Sequence, residues 1–329
     1  MELRILNAAE VRQALPMAAA IEGMKAAFSQ FSAEQADVPL RSRISIPGHE
    51  GVALFMPAYL AQSDDLAVKV VTVFPKNIHR GEPIIYATVL ILDTVTGRPL
   101  ALLEGSALTA IRTGAGSGAA TDLLARPDAQ TVAIIGSGVQ ARTQLEAVCT
   151  VRPIRTAYVY SPNPQHAAAF AEEMAGQGPI PDAIRPVLEA AEAVRAADII
   201  CTATTSSTPV FDGRELKPGT HINAVGSYTP EMQEVDITTI QQALVVVDSR
   251  ESVLAEVGDL LIPLHSGAIT ESDIHAELGE IVAGVKDGRT TPDQITYFKS
   301  VGLAVQDAAA AQIALQNALR LNLGTVVSL

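Results

Sequence analysis

Residues 131–141, TVAIIGSGVQA, constrain this chain more than any other segment. Val132, Ala133, Ile134 and Ile135 form an apolar, mostly β-branched run that predicts a short buried strand. The run passes straight into Gly136-Ser137-Gly138-Val139-Gln140-Ala141 and then into a helix-compatible stretch through Cys149. This is the G-x-G-x-x-G/A turn of a dinucleotide-binding βαβ unit in its strand–turn–helix setting. The first glycine permits the tight turn, the second lets a pyrophosphate approach the backbone, and the small Ala141 lets helix and strand pack closely. Free N–H groups at the helix start would meet the phosphate charge. A bound nicotinamide or flavin dinucleotide is therefore expected, with a plain βα connection as the competing reading.

From this turn onward strands and helices alternate, which predicts a parallel sheet with right-handed crossovers. Strands are expected at 131–135, 156–160, 198–202, 220–224 and 243–247, with a weaker one at 184–187, making a six-stranded doubly wound sheet. The texture before residue 105 is different. A strand at 3–6 is followed by Asn7 as a helix N-cap, and 16–31 reads as a helix with Ile21, Met24, Phe28 and Phe31 on one face. Strands are expected at 43–46, 52–56, 66–74, 86–92 and 99–103, the last two joined by a hairpin loop with Gly97 late in it. A helix at 109–124 follows, and residues 301–323 form a terminal helix with Leu315, Leu319 and Leu323 at i+4 spacing. The expected fold class is thus α/β: a Rossmann-type doubly wound parallel sheet plus an α+β N-terminal domain with a largely antiparallel sheet.

A length of 329 residues suits two domains with full cores. With 36 acidic against 23 basic side chains the net charge is −13, and no basic stripe offsets it. Nucleic acid and anionic membrane surfaces are poor partners for such a chain. No apolar run approaches the roughly 18 residues that span a bilayer. Glu2, Arg4 and Glu10 stand where a signal peptide needs an apolar core, so a cytoplasmic location is expected. Cys149 and Cys201 have neither metal-ligand nor disulfide-scaffold spacing and read as reduced, buried thiols. His79, His221, His265 and His275 lack i,i+4 pairing, so no metal site is expected.

The second βα turn, Tyr160-Ser161-Pro162-Asn163, lacks the carboxylate that holds the ribose hydroxyls in NAD-binding units. Ser161 and Asn163 can hydrogen-bond to a 2′-phosphate, although no arginine accompanies them; NADP(H) is slightly favoured over NAD(H). Lys69 lies in a strand of apolar residues, on the face of Ala67, Val71 and Val73. It reads either as an edge-strand lysine that discourages aggregation or as an ammonium awaiting an anion, which an anionic substrate would supply. Arg112 and the pair Arg41 and Arg43 read as surface charge or as guanidinium forks for a carboxylate.

Taken together the segments resemble the ornithine cyclodeaminase and mu-crystallin family. The resemblance rests on Pro39-Leu40-Arg41, Met56-Pro57-Ala58-Tyr59, Lys69 in its strand, Ala110-Ile111-Arg112-Thr113-Gly114 and the turn at Gly136. It continues through Ile222-Asn223-Ala224-Val225-Gly226, Ala276-Glu277-Leu278-Gly279-Glu280 and Phe298-Lys299-Ser300-Val301-Gly302. It implies a homodimer built by a substrate-binding domain (1–113 with 300–329), a dinucleotide-binding domain (114–299), and substrate held in the cleft between them. By the same resemblance Arg41, Lys69 and Arg112 hold a substrate carboxylate, with Lys69 close to the reacting nitrogen and carbon. Thr202, Ala203 and Thr204, then Val225, Gly226 and Ser227, and the turn from Lys299 to Gly302 match cofactor-contacting stretches.

One position departs from the pattern. Cyclodeaminases proper carry an acid/base aspartate two residues beyond the glycine of the Asn-Ala-Val-Gly motif, where this chain has Tyr228. A phenol with a pKa near 10 is a poor base at neutral pH. The expected activity is therefore an NAD(P)H-dependent reduction of a small carboxylate-bearing imine or keto acid. An ornithine-type lyase with tightly bound NAD is the alternative, and a non-enzymatic NADP-binding protein is a second.

Overall fold

A computed structural model describes all 329 residues. The chain forms two compact units, Met1–Arg112 with Leu303–Leu329, and Thr113–Gly302.

In the first unit β1 (Glu2–Leu6) leads into α1 (Ala8–Ala14), whose capping box is built by Asn7 and Glu10. Next comes α2 (Met17–Ser32), which buries Ile21, Met24 and Phe28. The strands β2 (Ala36–Asp37), β3 (Ser42–Ile46), β4 (Gly51–Leu60), β5 (Asp65–Val73), β6 (Ile85–Leu92) and β7 (Pro99–Glu104) follow. The helix α3 (Gly105–Leu124) carries the chain across the boundary at Arg112 into the second unit.

The second unit runs through β8 (Thr131–Ile135), α4 (Val139–Val151), β9 (Thr156–Tyr160), α5 (Pro164–Met174), β10 (Ile184–Val187) and α6 (Ala190–Ala196). It continues with β11 (Ile199–Thr202), β12 (His221–Ala224), α7 (Ile237–Gln242), β13 (Ala243–Val247), α8 (Arg250–Glu256) and α9 (Gly258–His265). Then come β14 (Ile274–Glu277), α10 (Leu278–Val282) and β15 (Ile295–Lys299). The chain closes in the first unit with α11 (Ala304–Leu321) and β16 (Thr325–Ser328).

The first sheet has the order β16-β1-β7-β6-β5-β4-β2, with β3 also on β4, and only the β1–β7 pairing is parallel. The helix α11 packs on β4, β5 and α2. Its small residues, Ala308, Ala310, Ala311, Ala314 and Ala318, are buried and permit that close approach. The second sheet is entirely parallel in the order β10-β9-β8-β11-β12-β15-β13-β14. The order reverses between β8 and β11, which is the topological switch point of a doubly wound sheet. No helix is long and apolar enough to cross a membrane.

Several expectations need correction. The parallel sheet has eight strands rather than six: β15 lies between β12 and β13, and β14 forms the edge. Both are short, and their Lys299 and Glu277 ends mask the apolar runs. The helix expected at 109–124 starts at Gly105, because the Glu104 carboxylate accepts the N–H groups of Ser106 and Ala107. The terminal helix runs from Ala304 to Leu321, and β16 pairs with β1 after it. His221 is buried between Thr296 and Asn223, where burial pushes it down to about 3 and keeps it neutral.

Arg152, just past α4, closes the C-terminal end of α3. Its Nη2 donates to the carbonyls of Thr121 (2.9 Å), Asp122 (2.8 Å) and Ala125 (3.0 Å), and its Nε to that of Arg126 (2.9 Å). Arg152→Ala removes the guanidinium donor that these four carbonyls share. We expect a loss of about 1–3 kcal/mol, read as a lower midpoint of chemical denaturation.

Candidate functional site

Gly136, directly after β8, has φ of +113° and donates its N–H to the Tyr160 carbonyl at 2.9 Å. A Cβ there would stand 2.5 Å from the Ala203 carbonyl oxygen, so only glycine fits. Gly138 begins α4 with no side-chain cap, and a Cβ on it would meet nothing within 4 Å. The first N–H groups of α4 are thus unmet by side chains and face open space, which suits a phosphate. Arg142 Nη1 holds the carbonyls of Ser137 (2.8 Å) and Gly138 (3.0 Å), while its Nε bonds Glu173 at 2.8 Å. Val139 is exposed and Ala141 fully buried against the sheet, as the turn requires.

A cavity of about 600 Å³ opens beside this turn. Its walls come from the ends of β8 (Gly136 to Gly138), β9 (Tyr160 to Pro162) and the loop after β11 (Ala203 to Ser206). It therefore lies at the carboxyl ends of the strands flanking the switch point, and the residues present fit a dinucleotide. Ser161 lines it and receives a hydrogen bond from the Ser137 hydroxyl at 3.1 Å. Asn163 does not line it; its side chain caps α5 by accepting the Gln165 N–H at 3.0 Å.

Beneath the loops sits Glu234, fully buried, which the sequence offered no reason to single out. Its Oε1 accepts from the Thr204 N–H (2.7 Å) and hydroxyl (2.8 Å). Its Oε2 accepts from the Thr202 hydroxyl (3.0 Å) and the N–H groups of Gly226 (2.7 Å) and Ser227 (3.1 Å). One carboxylate therefore ties the loop after β11 to the loop after β12. Val225 adds a backbone bond to the Thr202 carbonyl at 3.0 Å. Burial pushes the Glu234 carboxyl up, and Lys299 opposes that shift.

The Lys299 side chain is turned into the interior. It is fully buried, with Nζ 3.1 Å from Asp259, whose other oxygen accepts the N–H groups of Glu234 (2.6 Å) and Val235 (3.2 Å). The turn to Gly302 is held instead by Asp248, which accepts the N–H groups of Val301 (2.8 Å) and Gly302 (2.9 Å).

In the other unit Lys69 is on an interior strand, between β4 and β6, which removes the edge-strand reading. It is 3% exposed, and its Nζ lies 2.6 Å from Asp307 on α11. The anion that an isolated buried ammonium requires is thus a resident side chain as well as any incoming ligand. Arg112 lies two turns into α3 and is buried, not solvated at a helix start. Its Nε donates to Asp307 Oδ1 at 3.1 Å and its Nη1 to Gln306 Oε1 at 3.1 Å, which leaves Nη2 outside both bonds. The Gln306 amide nitrogen is buried without a partner, a further unmet donor on the same helix turn. Arg41, in the exposed segment before β3, adds positive potential at Lys69. Burial pushes Lys69 down to about 8 against the pull of Asp307, and Arg112 and Arg41 push the same way as burial. Tyr228 is half exposed on the loop after β12.

Fold and turn define a nucleotide-binding α/β protein with a separate cluster of buried cations. Residues 1–321 match the Ornithine cyclodeaminase/mu-crystallin family, and the chain belongs to it. It is 43% identical over 321 residues to the Delta(1)-pyrroline-2-carboxylate reductase of Bacillus cereus, covering 97% of this chain and 98% of that protein. It is 37% identical over 275 residues to the ketimine reductase mu-crystallin of Mus musculus, covering 84% of this chain and 83% of the other. The Thermococcus litoralis Delta(1)-pyrroline-2-carboxylate reductase, solved in complex with NADH and L-proline, superposes with a TM-score of 0.92. Its identity is 47%, with 98% of this chain and 99% of that one covered.

Gly136→Ala forces a side chain into the Ala203 carbonyl at a backbone conformation that favours glycine. We expect NADH and NADPH to bind about 10- to 100-fold more weakly. Fluorescence titration reads this, with circular dichroism reporting a retained fold.

Proposed function

We propose that this chain is an NAD(P)H-dependent reductase of a small carboxylate-bearing imine. A cyclic imino acid such as pyrroline- or piperideine-2-carboxylate is the substrate and an L-amino acid the product. The observation that carries this reading is Lys69: a nearly dry ammonium set beside two arginines in a chain that also builds a dinucleotide turn. The relative solved with NADH and L-proline holds the amino acid that such a reduction yields from a five-membered ring.

When bound at the Gly136 turn, the reduced nicotinamide supplies the hydride. Arg112, with Nη2 outside its bonds to Asp307 and Gln306, and Arg41 hold the substrate carboxylate. Lys69 donates a proton to the imine nitrogen, so the acceptor carbon becomes more electrophilic and the product leaves as an amine. The end of β9 presents no carboxylate to the cavity, so nothing there repels a 2′-phosphate, and NADPH is the proposed preferred donor. Homodimer assembly and a cytoplasmic site of action belong to the same proposal.

A panel of cyclic imines and 2-keto acids, with both reduced cofactors, tests the reading through loss of nicotinamide absorbance. Ammonia release from ornithine without net cofactor change would mark a cyclodeaminase, and cofactor binding without any turnover a binding protein. Lys69→Met is expected to lower kcat by about 10²- to 10⁴-fold, with cofactor affinity unchanged. The proton donor is the ammonium form, so kcat/KM holds below pH 8 and falls as pH rises through about 8.

A further inference from the structure

We propose that Asp307 is a positioning residue for this reaction, holding the proton on Lys69 and aiming Lys69 and Arg112 from a single carboxylate. The inference rests on the reading of Lys69 as proton donor.

The geometry is specific. Each oxygen of Asp307 serves a different cation, Oδ2 to Lys69 Nζ at 2.6 Å and Oδ1 to Arg112 Nε at 3.1 Å. All three side chains are buried and come from different elements: α11, β5 and α3. The start of α11 is itself fixed to the guanidinium. Gln306 Oε1 accepts the Leu303 N–H at 2.8 Å, closing the first turn, and accepts Arg112 Nη1 at 3.1 Å. Asp307 sits in that first turn, where the helix dipole favours a carboxylate.

Among the leading influences on Lys69, only Asp307 favours its charged form. Its neighbours across the sheet are Met56 on β4 and Val89 on β6, both apolar. The charged groups acting on it are Asp307 from α11, Arg112 from α3 and Arg41 from the segment before β3. Desolvation and both arginines favour the neutral amine, and Asp307 alone opposes them. A neutral amine cannot protonate an imine. Removing the carboxylate charge should therefore take the proton away while leaving the amine in place. A carboxylate that merely tied α11 to the sheet would, on removal, lower the Lys69 midpoint without moving the alkaline limb of kcat/KM, and that outcome overturns the proposal.

The test uses full-length protein labelled with ¹³C at the lysine ε-carbons, with the Lys69 resonance identified by its absence in Lys69→Met. In the wild type this resonance is expected to titrate near pH 8. In Asp307→Asn its midpoint should fall by about 1 to 3 pH units, and the alkaline limb of kcat/KM should fall with it. Cofactor affinity should stay the same. An unmoved Lys69 midpoint in Asp307→Asn overturns the proposal. Should that variant not fold, Asp307→Glu decides. A midpoint near the wild-type value supports a requirement for the charge, and a midpoint as low as that expected for the asparagine overturns it. The titration needs no substrate. A wild type that reduces no imine would therefore refute the proposed activity alone, and the Lys69 midpoint would still be read separately.

Discussion

A lysine ammonium taken out of water must be answered by a carboxylate, or it loses its proton. This chain meets that constraint twice. Lys299 is answered by Asp259, and Lys69 by Asp307. The two pairs differ in what surrounds them. Around Lys299 the positive charge is fully offset by carboxylates. Asp259 also accepts two backbone N–H groups and the Tyr297 hydroxyl, and Glu234 adds a second carboxylate close by. Around Lys69 the balance is left positive, because Arg112 shares the single carboxylate and Arg41 contributes a third cation. Buried ion pairs contribute little net stability against apolar replacements, but breaking one is severe. The closed pair serves the fold, whereas the open one is the cluster to which the proposed function assigns a ligand carboxylate.

The closed network does more than neutralise a lysine. Glu234 gathers donors from the loops after β11 and β12, and Asp259 holds the backbone of Glu234 itself. The cavity wall is therefore tied to a carboxylate at Thr204 as well as packed against the core at Ala203. Gly226 follows from the same arrangement, since a Cβ there would lie 2.1 Å from the Thr204 carbonyl oxygen and 2.4 Å from Glu234. A loop fixed this way presents the same backbone each time a ligand arrives, which is what preorganisation requires.

Local chemistry was legible in the sequence and distant pairing was not. The Gly136 turn could be read because strand, glycines and helix are contiguous, and each glycine answers a steric demand within a few residues. Lys69 stood out because an ammonium amid apolar alternation is unusual. Asp307 gave no such signal. It lies 195 residues from Arg112, inside the run VQDAAAA, where an acid in the first helical turn is ordinary. Glu234 and Asp248 were hidden too, since most of their partners are backbone N–H groups that carry no residue identity. The missed strand β15 ends in Lys299, and a charged end reads as surface until the buried Asp259 that pairs with it is known.

The open balance at Lys69 also bears on when the proton is in place. Asp307 raises the affinity of Lys69 for its proton, and Arg41 and Arg112 lower it. A ligand carboxylate laid against the arginines offsets their repulsion and adds its own attraction, so it acts on Lys69 in the same direction as Asp307. By reciprocity, a protonated Lys69 binds that carboxylate more tightly than a neutral one. Carboxylate binding and proton loading are then one coupled event. A ligand of the same shape without the carboxylate would forgo both the anchor and the help in keeping the proton. Under the proposed function, discrimination for organic acids follows from the charge arrangement, before any side chain measures the size of the ring.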